Sequence, residues 1–244
     1  MTSEHQHLRR LYVDQPLKGV IALRDNQHHY LRNVLRVEVG NLIRVFHVKQ
    51  GEFLAEIQEV KKKETLVLIK EQLRKVVADS RCVTLIAPII HKDRMQMMIE
   101  KTTELGMTHF QPITSARSEN HKAKQDKIEA WFIEAAEQSE RLDIPVLLPT
   151  ISFQQAVRQY RQILVAVERQ NTAPLLDALK MTENNETVNV MIGPAGGFTE
   201  EEMAFLSEQE SVQGVSLGET ILRVETAAIY MLSVINAVRA IKNN

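Results

Sequence analysis

Residues 188–202 read VNVMIGPAGGFTEEE, and this stretch decides the fold. The apolar segment VNVMI predicts a buried strand, and three of the chain's nine glycines, Gly193, Gly196 and Gly197, follow it. Thr199 and Glu202 then have the spacing of a capping box, which predicts the start of a helix. A strand, a glycine turn and a capped helix in this order are typical of an α/β protein with a parallel sheet.

The same alternation extends on both sides of this stretch. From Arg81 onward, the segments CVTLIAPI, HFQPI, IPVLL, ILVAV and GVSL predict strands. Helices are predicted between and after them, through MQMMIEKTTEL and near residues 124–140, 153–160, 173–179, 200–208 and 225–241. Strands that alternate with helices predict a mostly parallel sheet covered on both faces.

The glycine turn is a candidate ligand site. Ligands of open α/β sheets bind beyond the carboxyl ends of the strands, and glycines there let main-chain groups approach a ligand. The pattern is neither G-x-G-x-x-G nor G-x-x-x-x-G-K-[ST], so a dinucleotide fold and a P-loop are poorly supported. A purely structural turn is the alternative interpretation.

A second segment, residues 217–228, repeats this design. Strand GVSL ends at Leu217-Gly218, and a loop that carries Arg223 and Glu225 enters the last helix. That helix is apolar nearly all round, so we expect it to be buried or to lie against a second copy of the chain. Pairing of Arg223 with Glu219 or Glu225 is the alternative to a functional role for the arginine.

Residues 8–70 follow a different pattern and predict a small, mostly β, barrel-like module. Short segments with β-branched residues are punctuated by Gly40 and Gly51. One helix interrupts them, with Asp25 as its expected cap and Tyr30, Leu31, Val34 and Leu35 as its apolar face. The polar stretch 71–80 predicts a boundary between a domain of residues 1–74 and a domain of residues 75–244.

Composition and charge restrict the class of protein. Of 244 residues, 44% are hydrophobic and 25% charged, which excludes general disorder. No apolar stretch approaches the roughly 18–20 residues of a bilayer-spanning helix, so we expect no membrane association. A signal peptide is not evident, and the single Cys82 excludes a disulfide framework and a cysteine-rich zinc site. We therefore expect a cytoplasmic protein.

The charges are distributed unevenly along the chain. Residues 1–75 hold 14 Lys and Arg against 9 Asp and Glu, whereas the remainder holds 16 against 22. The basic front part predicts a polyanionic partner, and a merely solvated surface is the alternative. The histidines show no metal-binding spacing, so we expect no metal.

Several short motifs, in this order, resemble the RsmE family of small-subunit ribosomal RNA uridine-N3 methyltransferases, within the SPOUT class. They are Leu35-Arg36, Lys92-Asp93-Arg94-Met95 with Lys101 and Glu104-Leu105-Gly106, Arg117-Ser118, Glu134-Ala135 with Glu137-Gln138-Ser139, Arg141 and Pro145, Ile192–Gly197, and Leu217–Ala227. The resemblance covers nearly the whole chain. One departure is Ala195, where the family usually has glutamate.

The resemblance implies a PUA-like RNA-binding β-barrel domain followed by a SPOUT α/β domain with a C-terminal deep trefoil knot. It also implies S-adenosylmethionine (SAM) as cofactor, bound near a homodimer interface. The cofactor-binding residues carried over are Val167, Glu168, Gly193, Pro194, Gly196, Gly197, Leu217, Gly218, Ile221, Leu222 and Thr226.

The expected partner is 16S ribosomal RNA or the small ribosomal subunit. Arg223 is the expected catalytic residue, which would hydrogen-bond a uracil carbonyl, and Glu225 is a candidate base. Candidate RNA contacts are Arg9, Arg10, Arg32, Arg36, Lys92, Arg94, Arg117 and Arg141, with Lys61–Lys63. Two other functions remain open: methylation of a ribose 2′-oxygen or a guanine by a related knotted enzyme, and RNA binding by an assembly factor without catalysis.

Overall fold

The computed structural model describes residues 5–77, 81–119, 124–168, 172–181 and 187–242. The chain forms two compact units, residues 1–78 with 136–144 and residues 79–135 with 145–244. Part of the predicted linker, residues 78–80, lies outside the described residues. The first unit thus includes residues 136–144, which sequence patterns alone place in the second domain.

The first unit is built on a five-stranded sheet in the order β1-β3-β4-β5-β2. Its strands are β1 (Arg10–Tyr12), β2 (Val20–Arg24), β3 (Leu42–His47), β4 (Gly51–Val60) and β5 (Glu64–Arg74). β1 pairs with β3 in parallel, and the other pairs are antiparallel. The described residues show no pairing of the edge strands β1 and β2, so barrel closure is not part of the observed hydrogen bonding.

The turn into β4 depends on a glycine. Gly51 has a φ of +92°, in the left-handed region, and a Cβ there would lie 2.1 Å from the main-chain oxygen of Arg74. No other residue fits this contact, because the neighbouring atom is backbone that cannot move aside. Gly51 therefore fixes the close approach of the β4 start to the end of β5.

The helix of the first unit differs from its prediction. Helix α1 (Asp25–His29) runs into a π-helical turn (Tyr30–Val34). Asp25 is the first helical residue, with a φ of +47°, and no side chain caps the helix. The predicted cap is therefore wrong. Leu31 is fully buried, whereas Val34 is 60% exposed, so the apolar face is narrower than predicted because the π-turn rotates Val34 outward.

A buried ion cluster joins residues 136–144 to this sheet. The carboxylate of Glu52 is fully buried and lies 2.9 Å from Arg10 Nε, 3.3 Å from Arg44 Nη1 and 3.2 Å from Arg74 Nη1. One carboxylate cannot accept from all the N–H donors of three guanidinium groups. Carbonyl groups of residues 136–144 therefore accept hydrogen bonds from two of them, those of Arg10 and Arg74. This charge pairing holds the later segment in the first unit.

The second unit has a parallel sheet in the order β12-β10-β11-β6-β7-β8, with β9 also paired to β7. Its strands are β6 (Cys82–Pro88), β7 (His109–Thr114), β8 (Val146–Leu147), β9 (Ile151–Ser152), β10 (Ile163–Ala166), β11 (Thr187–Met191) and β12 (Val212–Val215). Its helices are α2 (Lys92–Glu104), α3 (Gln125–Gln138), α4 (Phe153–Gln159), α5 (Leu175–Met181), α6 (Glu200–Ser207) and α7 (Val224–Lys242). The predicted alternation and parallel pairing are both observed.

Helix α7 packs against α2 and α5 with one face. Ala228, Met231 and Leu232 are fully buried, whereas Tyr230 on the other face is 43% exposed. Its 18-residue window from Val224 to Ile241 has a mean hydropathy of 1.4, enough by length and composition to cross a membrane. The prediction that no stretch approaches this length is therefore wrong. A buried core helix of a soluble protein meets the same criterion.

Candidate functional site

A cavity of about 560 Å³ lies at the carboxyl ends of the neighbouring strands β12, β10 and β11. Three loops form it, one after each strand: residues 166–168, 192–198 and 216–224. Parallel strands end at the same edge of a sheet, so loops that are far apart in sequence meet there. The volume is within the range of ordinary small-molecule sites.

The glycine loop 193–197 is shaped by two requirements. A Cβ on Gly193 would lie 3.0–3.2 Å from the ring of Phe198, and that ring packs on Phe153 with centroids 5.3 Å apart. Gly197 has a φ of +70°, which favours glycine. A side chain at Gly193 would press against the Phe198 ring and one at Gly197 would strain the backbone, so glycines line the cavity at these two positions.

The capping box predicted at the end of this loop is confirmed. The Thr199 hydroxyl accepts from the main-chain N–H of Glu202, and the Glu202 carboxylate accepts from the N–H of Thr199 at 2.9 Å. Hydrogen bonds from its own backbone N–H and from Thr199 lower the pKa of Glu201. The start of α6 is therefore anionic, which disfavours a phosphate at this helix end.

Most of the predicted cofactor-binding residues line this cavity. They are Val167, Glu168, Gly193, Pro194, Gly196, Gly197, Leu217, Gly218, Ile221 and Leu222. Thr226 does not line it and is exposed on α7. Sequence reasoning missed Phe198 and Met203, which add apolar surface, and Ala227 on α7. Of these three residues, only Phe198 has a signal in the sequence, which is its position directly after the glycines.

The structure separates the two predicted catalytic residues. Arg223 lines the cavity and is exposed, and the described residues include no ion pair between it and Glu219 or Glu225. Glu225 is 5% exposed, does not line the cavity, and its Oε2 has no hydrogen-bond partner in the described part of the chain. Arg223 is therefore placed to contact a ligand, and Glu225 is not.

The predicted RNA-contact residues fall into three groups. Arg9, Arg32, Arg36 and Lys92 are exposed, and Arg94 and Arg117 line the cavity. The Arg141 side chain is only 13% exposed and is paired with Asp143. The prediction for Arg10 is wrong, because its side chain is 3% exposed and its guanidinium is paired with Glu52.

Arg10 is instead a structural residue of the first unit. Its guanidinium lies 3.7 Å from the centroid of the Phe46 ring and donates to the carbonyls of Ala136 and Arg141. Burial lowers the pKa of Arg10, and the nearby Glu52 carboxylate opposes that shift. Because the side chain is buried and each of its three nitrogens already donates a hydrogen bond, Arg10 is not accessible to a phosphate.

Cys82 and His109 lie close together in the second unit, away from the cavity. Cys82, at the opposite end of the sheet from the cavity, is half-buried with its sulfur 3.3 Å from His109 Nδ1. Burial lowers the pKa of His109. Over the described ranges, no group of three or more His, Cys, Asp or Glu side chains could hold a metal ion.

Known protein families match both domains of this chain. The family model of the RNA methyltransferase domain matches residues 78–236, and that of the RNA methyltransferase PUA domain matches residues 23–70. Ribosomal RNA small subunit methyltransferase E of Rickettsia conorii is 33% identical over 224 residues, which cover 90% of this chain and 91% of that protein. The Bacillus subtilis protein of that name is 32% identical and covers 85% and 86%.

Solved structures are similar over nearly the whole chain. The methyltransferase E of Neisseria gonorrhoeae, bound to SAM, has a TM-score of 0.81 and 28% identity, covering 95% of this chain and 98% of that one. A Legionella pneumophila protein in complex with SAM has a TM-score of 0.83, with the same identity and coverage. With its cavity at the strand ends, its PUA and methyltransferase domain matches and these relatives, the chain belongs to the ribosomal RNA small subunit methyltransferase E family.

Proposed function

We propose that the protein transfers a methyl group from SAM to N3 of a uridine in 16S ribosomal RNA of the small subunit. The observation that carries this proposal is the shared cavity formed by the glycine loop and the Arg223 loop at the strand ends. Family membership supports the methyltransferase activity, and relatives crystallised with SAM support the cofactor. Ribosomal RNA as substrate implies a cytoplasmic location.

The residues of the cavity fit this cofactor. The glycine loop presents main-chain N–H and C=O groups, which can hydrogen-bond the edge of an adenine. Leu217, Leu222 and Ile221, which is 57% exposed, offer apolar surface for its faces. A Cβ at Gly193 would displace the Phe198 ring that forms part of the wall. We propose that these groups hold SAM, whereas Thr226 is exposed on α7 and is not among the residues that line the cavity.

When bound, SAM supplies the reactive methyl group on its sulfonium centre. Uridine N3 carries a proton and is a weak nucleophile until that proton leaves. We propose that Arg223 donates hydrogen bonds to a uracil carbonyl and so favours the anion that develops on the base. Alignment of the two bound reactants supplies much of the remaining acceleration.

We propose a supporting role for Glu225. A general base must come within hydrogen-bond distance of the proton it removes, and the buried Glu225 carboxylate is not among the cavity-lining groups. A carboxylate in the first turn of α7 interacts favourably with the helix N-terminus. Glu225 would thus stabilise the entry of the Arg223 loop into the helix.

We propose that RNA docks on a basic corner of the first unit, formed by Arg32, Arg36 and Lys61–Lys63. The Arg32 guanidinium donates to the main-chain oxygens of Lys61 and Lys62, so the π-helical turn and the β4–β5 turn lie side by side. All five side chains are exposed. The cluster lies within the matched PUA domain, and cations of this kind neutralise phosphates.

We propose that the protein functions as a homodimer and that the C-terminal part of its second domain is knotted. On one face of α7, Tyr230 is 43% exposed and Ile241 is 74% exposed. A second copy of the chain would cover this face. The proposal of a deep trefoil knot rests on the family resemblance. Sedimentation analysis of wild type and Tyr230→Asp tests the dimer; a wild-type monomer would contradict it.

The experiment that tests the function is base mapping. Ribosomal RNA from a strain lacking the enzyme is incubated with the protein and SAM, and then reverse-transcribed. An N3-methylated uridine stops reverse transcription because its pairing edge is occupied. Read-through with incorporated label would instead indicate a ribose methyl group, and no incorporation would indicate a binding factor without catalysis.

A further inference from the structure

The loop that follows β7 lies against the glycine loop of the cavity. Arg117 Nη1 donates to the main-chain oxygen of Gly196 at 2.8 Å and contacts that of Phe198 at 3.5 Å. The aliphatic stem of Arg117 covers Gly196, since a Cβ there would lie 3.4 Å from its Cδ. Arg117, expected from the sequence to contact RNA, thus contacts the main chain of the glycine loop.

Glu202 makes a second connection between the same two loops. One of its oxygens, Oε2, accepts from the N–H of Thr199, as a capping box requires. The other, Oε1, accepts from the N–H of Ala116 at 2.8 Å. The carboxylate is buried, so both hydrogen bonds are shielded from water and are strong for their kind.

The loop after β7 is itself held in a fixed conformation. The N–H of Ser115 donates to Ser118 Oγ at 2.9 Å, and the N–H of Ser118 donates to the oxygen of Ser115 at 3.0 Å. These bonds close a turn whose central residues are Ala116 and Arg117. A rigid turn can hold a neighbouring loop, because little conformational entropy is lost when the contacts form.

From these contacts we infer that Arg117 and Glu202 form a latch that holds the main chain of residues 196–199 in the conformation that binds SAM. Both are positioning residues, since they act through the glycine loop. The inference rests on the proposed cofactor site. It assigns Arg117 to cofactor binding, where the family motif and its charge had indicated RNA.

Glu202→Gln separates the latch from the helix cap. Glutamine is an accepted capping-box residue, so it can still accept from Thr199, but its amide has one acceptor oxygen and cannot also serve Ala116. We expect the Kd and the KM for SAM to rise about tenfold, which corresponds to the removal of one charge-assisted hydrogen bond. The turnover at saturating SAM and the KM for RNA should stay close to wild type, whereas the melting temperature should fall, because the N–H of Ala116 loses its acceptor.

Arg117→Ala and Arg117→Lys test the other half of the latch. Alanine should weaken SAM binding by about three- to tenfold and leave RNA affinity unchanged. Lysine keeps the charge but lacks the guanidinium fork, so it should recover only part of the SAM affinity. Glu200→Gln and Lys127→Ala, exposed residues of α6 and α3, are matched controls for the removal of charge.

Amide hydrogen exchange provides a readout without SAM. Residues 193–199 should exchange faster in Glu202→Gln and in Arg117→Ala than in the controls. Unchanged exchange together with unchanged SAM affinity would overturn the latch, as would a rise in the KM for RNA alone in Arg117→Ala. Wild-type protein that shows no SAM binding by calorimetry would overturn the proposed function, while the exchange result would still judge the latch.

Discussion

At the scale of single residues, the cavity gives Arg223 and Glu225 different environments. The first is exposed in the cavity wall, and the second is buried behind it. From the sequence, Arg223 is the expected catalytic residue and Glu225, two positions later, is a candidate base. Because successive residues at the start of a helix point about 100° apart, two positions so close in sequence need not share a site.

Replacing Arg223 with alanine should reduce methyl transfer by about 10²–10³-fold, the effect of removing one donor to a developing anion. SAM affinity should remain nearly unchanged, because the glycine loop and apolar residues form most of the cavity wall. Single-turnover transfer and calorimetry measure the two effects. An equal reduction of both would make Arg223 a residue that maintains loop structure.

Glu140 gives the first unit a defined acid sensitivity. The hydrogen bond from Arg44, at 2.8 Å, lowers the pKa of this carboxyl below its ordinary value. A lowered pKa in the folded state contributes stability above the unfolded-state pKa of about 4.3, and this is lost as the pH falls through the folded-state pKa.

Glu140→Gln should therefore be less stable than wild type at pH 7, and the difference should shrink toward zero as the pH is lowered below about 4. Urea unfolding at the two pH values measures it. Glu38→Gln, an exposed residue outside the ion cluster, is the control. A difference that persists unchanged at about pH 3 would show that the Arg44 contact does not depend on the charge of Glu140.

At the scale of elements, interactions between residues close in sequence were predictable, and contacts between distant residues were not. The capping box of Thr199 and Glu202 depends on residues three positions apart, so the sequence pattern contains it. The pairing of Arg10 with Glu52 spans 42 positions, and the contact of Arg117 with Gly196 spans 79. Charge and motif do not indicate such partners, and both arginines were expected to contact RNA.

Two capping boxes allow a matched test of the cavity. Helix α4 has a box formed by Ser152 and Gln155, equivalent to that of α6. Thr199→Ala and Ser152→Ala should each lower the free energy of unfolding by about 1 kcal/mol. Only Thr199→Ala should also weaken SAM binding, because Thr199 ends the loop that lines the cavity. Equal SAM affinity in the two variants would contradict this role of the loop.

At the scale of the whole molecule, the sequence predicted an RNA-binding domain and a methyltransferase domain, but not which residues belong to each compact unit. The change from β-rich to alternating pattern near residue 75 indicated the two architectures. Residues 136–144, which are the end of α3 and the residues directly after it, belong to the first unit, although the sequence pattern continues there without a break. The signal for their placement is the buried Glu52 cluster, which exists only in three dimensions.

Basic residues of the first unit should determine RNA affinity. Replacement of Arg32, Lys62 and Lys63 with alanine should weaken binding across RNA sequences and flatten the dependence of log K on log salt by about 0.7 for each phosphate that is no longer neutralised. Filter binding at several salt concentrations measures both. Lys127→Ala and Lys180→Ala, exposed residues of the second unit, serve as controls. An unchanged slope would place the RNA elsewhere.

The buried carboxylate of Glu52 also has a consequence for biosynthesis. Its cluster is completed by carbonyl groups of residues 136–141, which are translated long after β5. Since chains emerge from the ribosome amino-terminus first, the nascent first unit holds guanidinium groups whose acceptors have not yet been made. Its folding must therefore wait for the middle of the chain, and a fragment that stops at residue 74 lacks a part of its own interior.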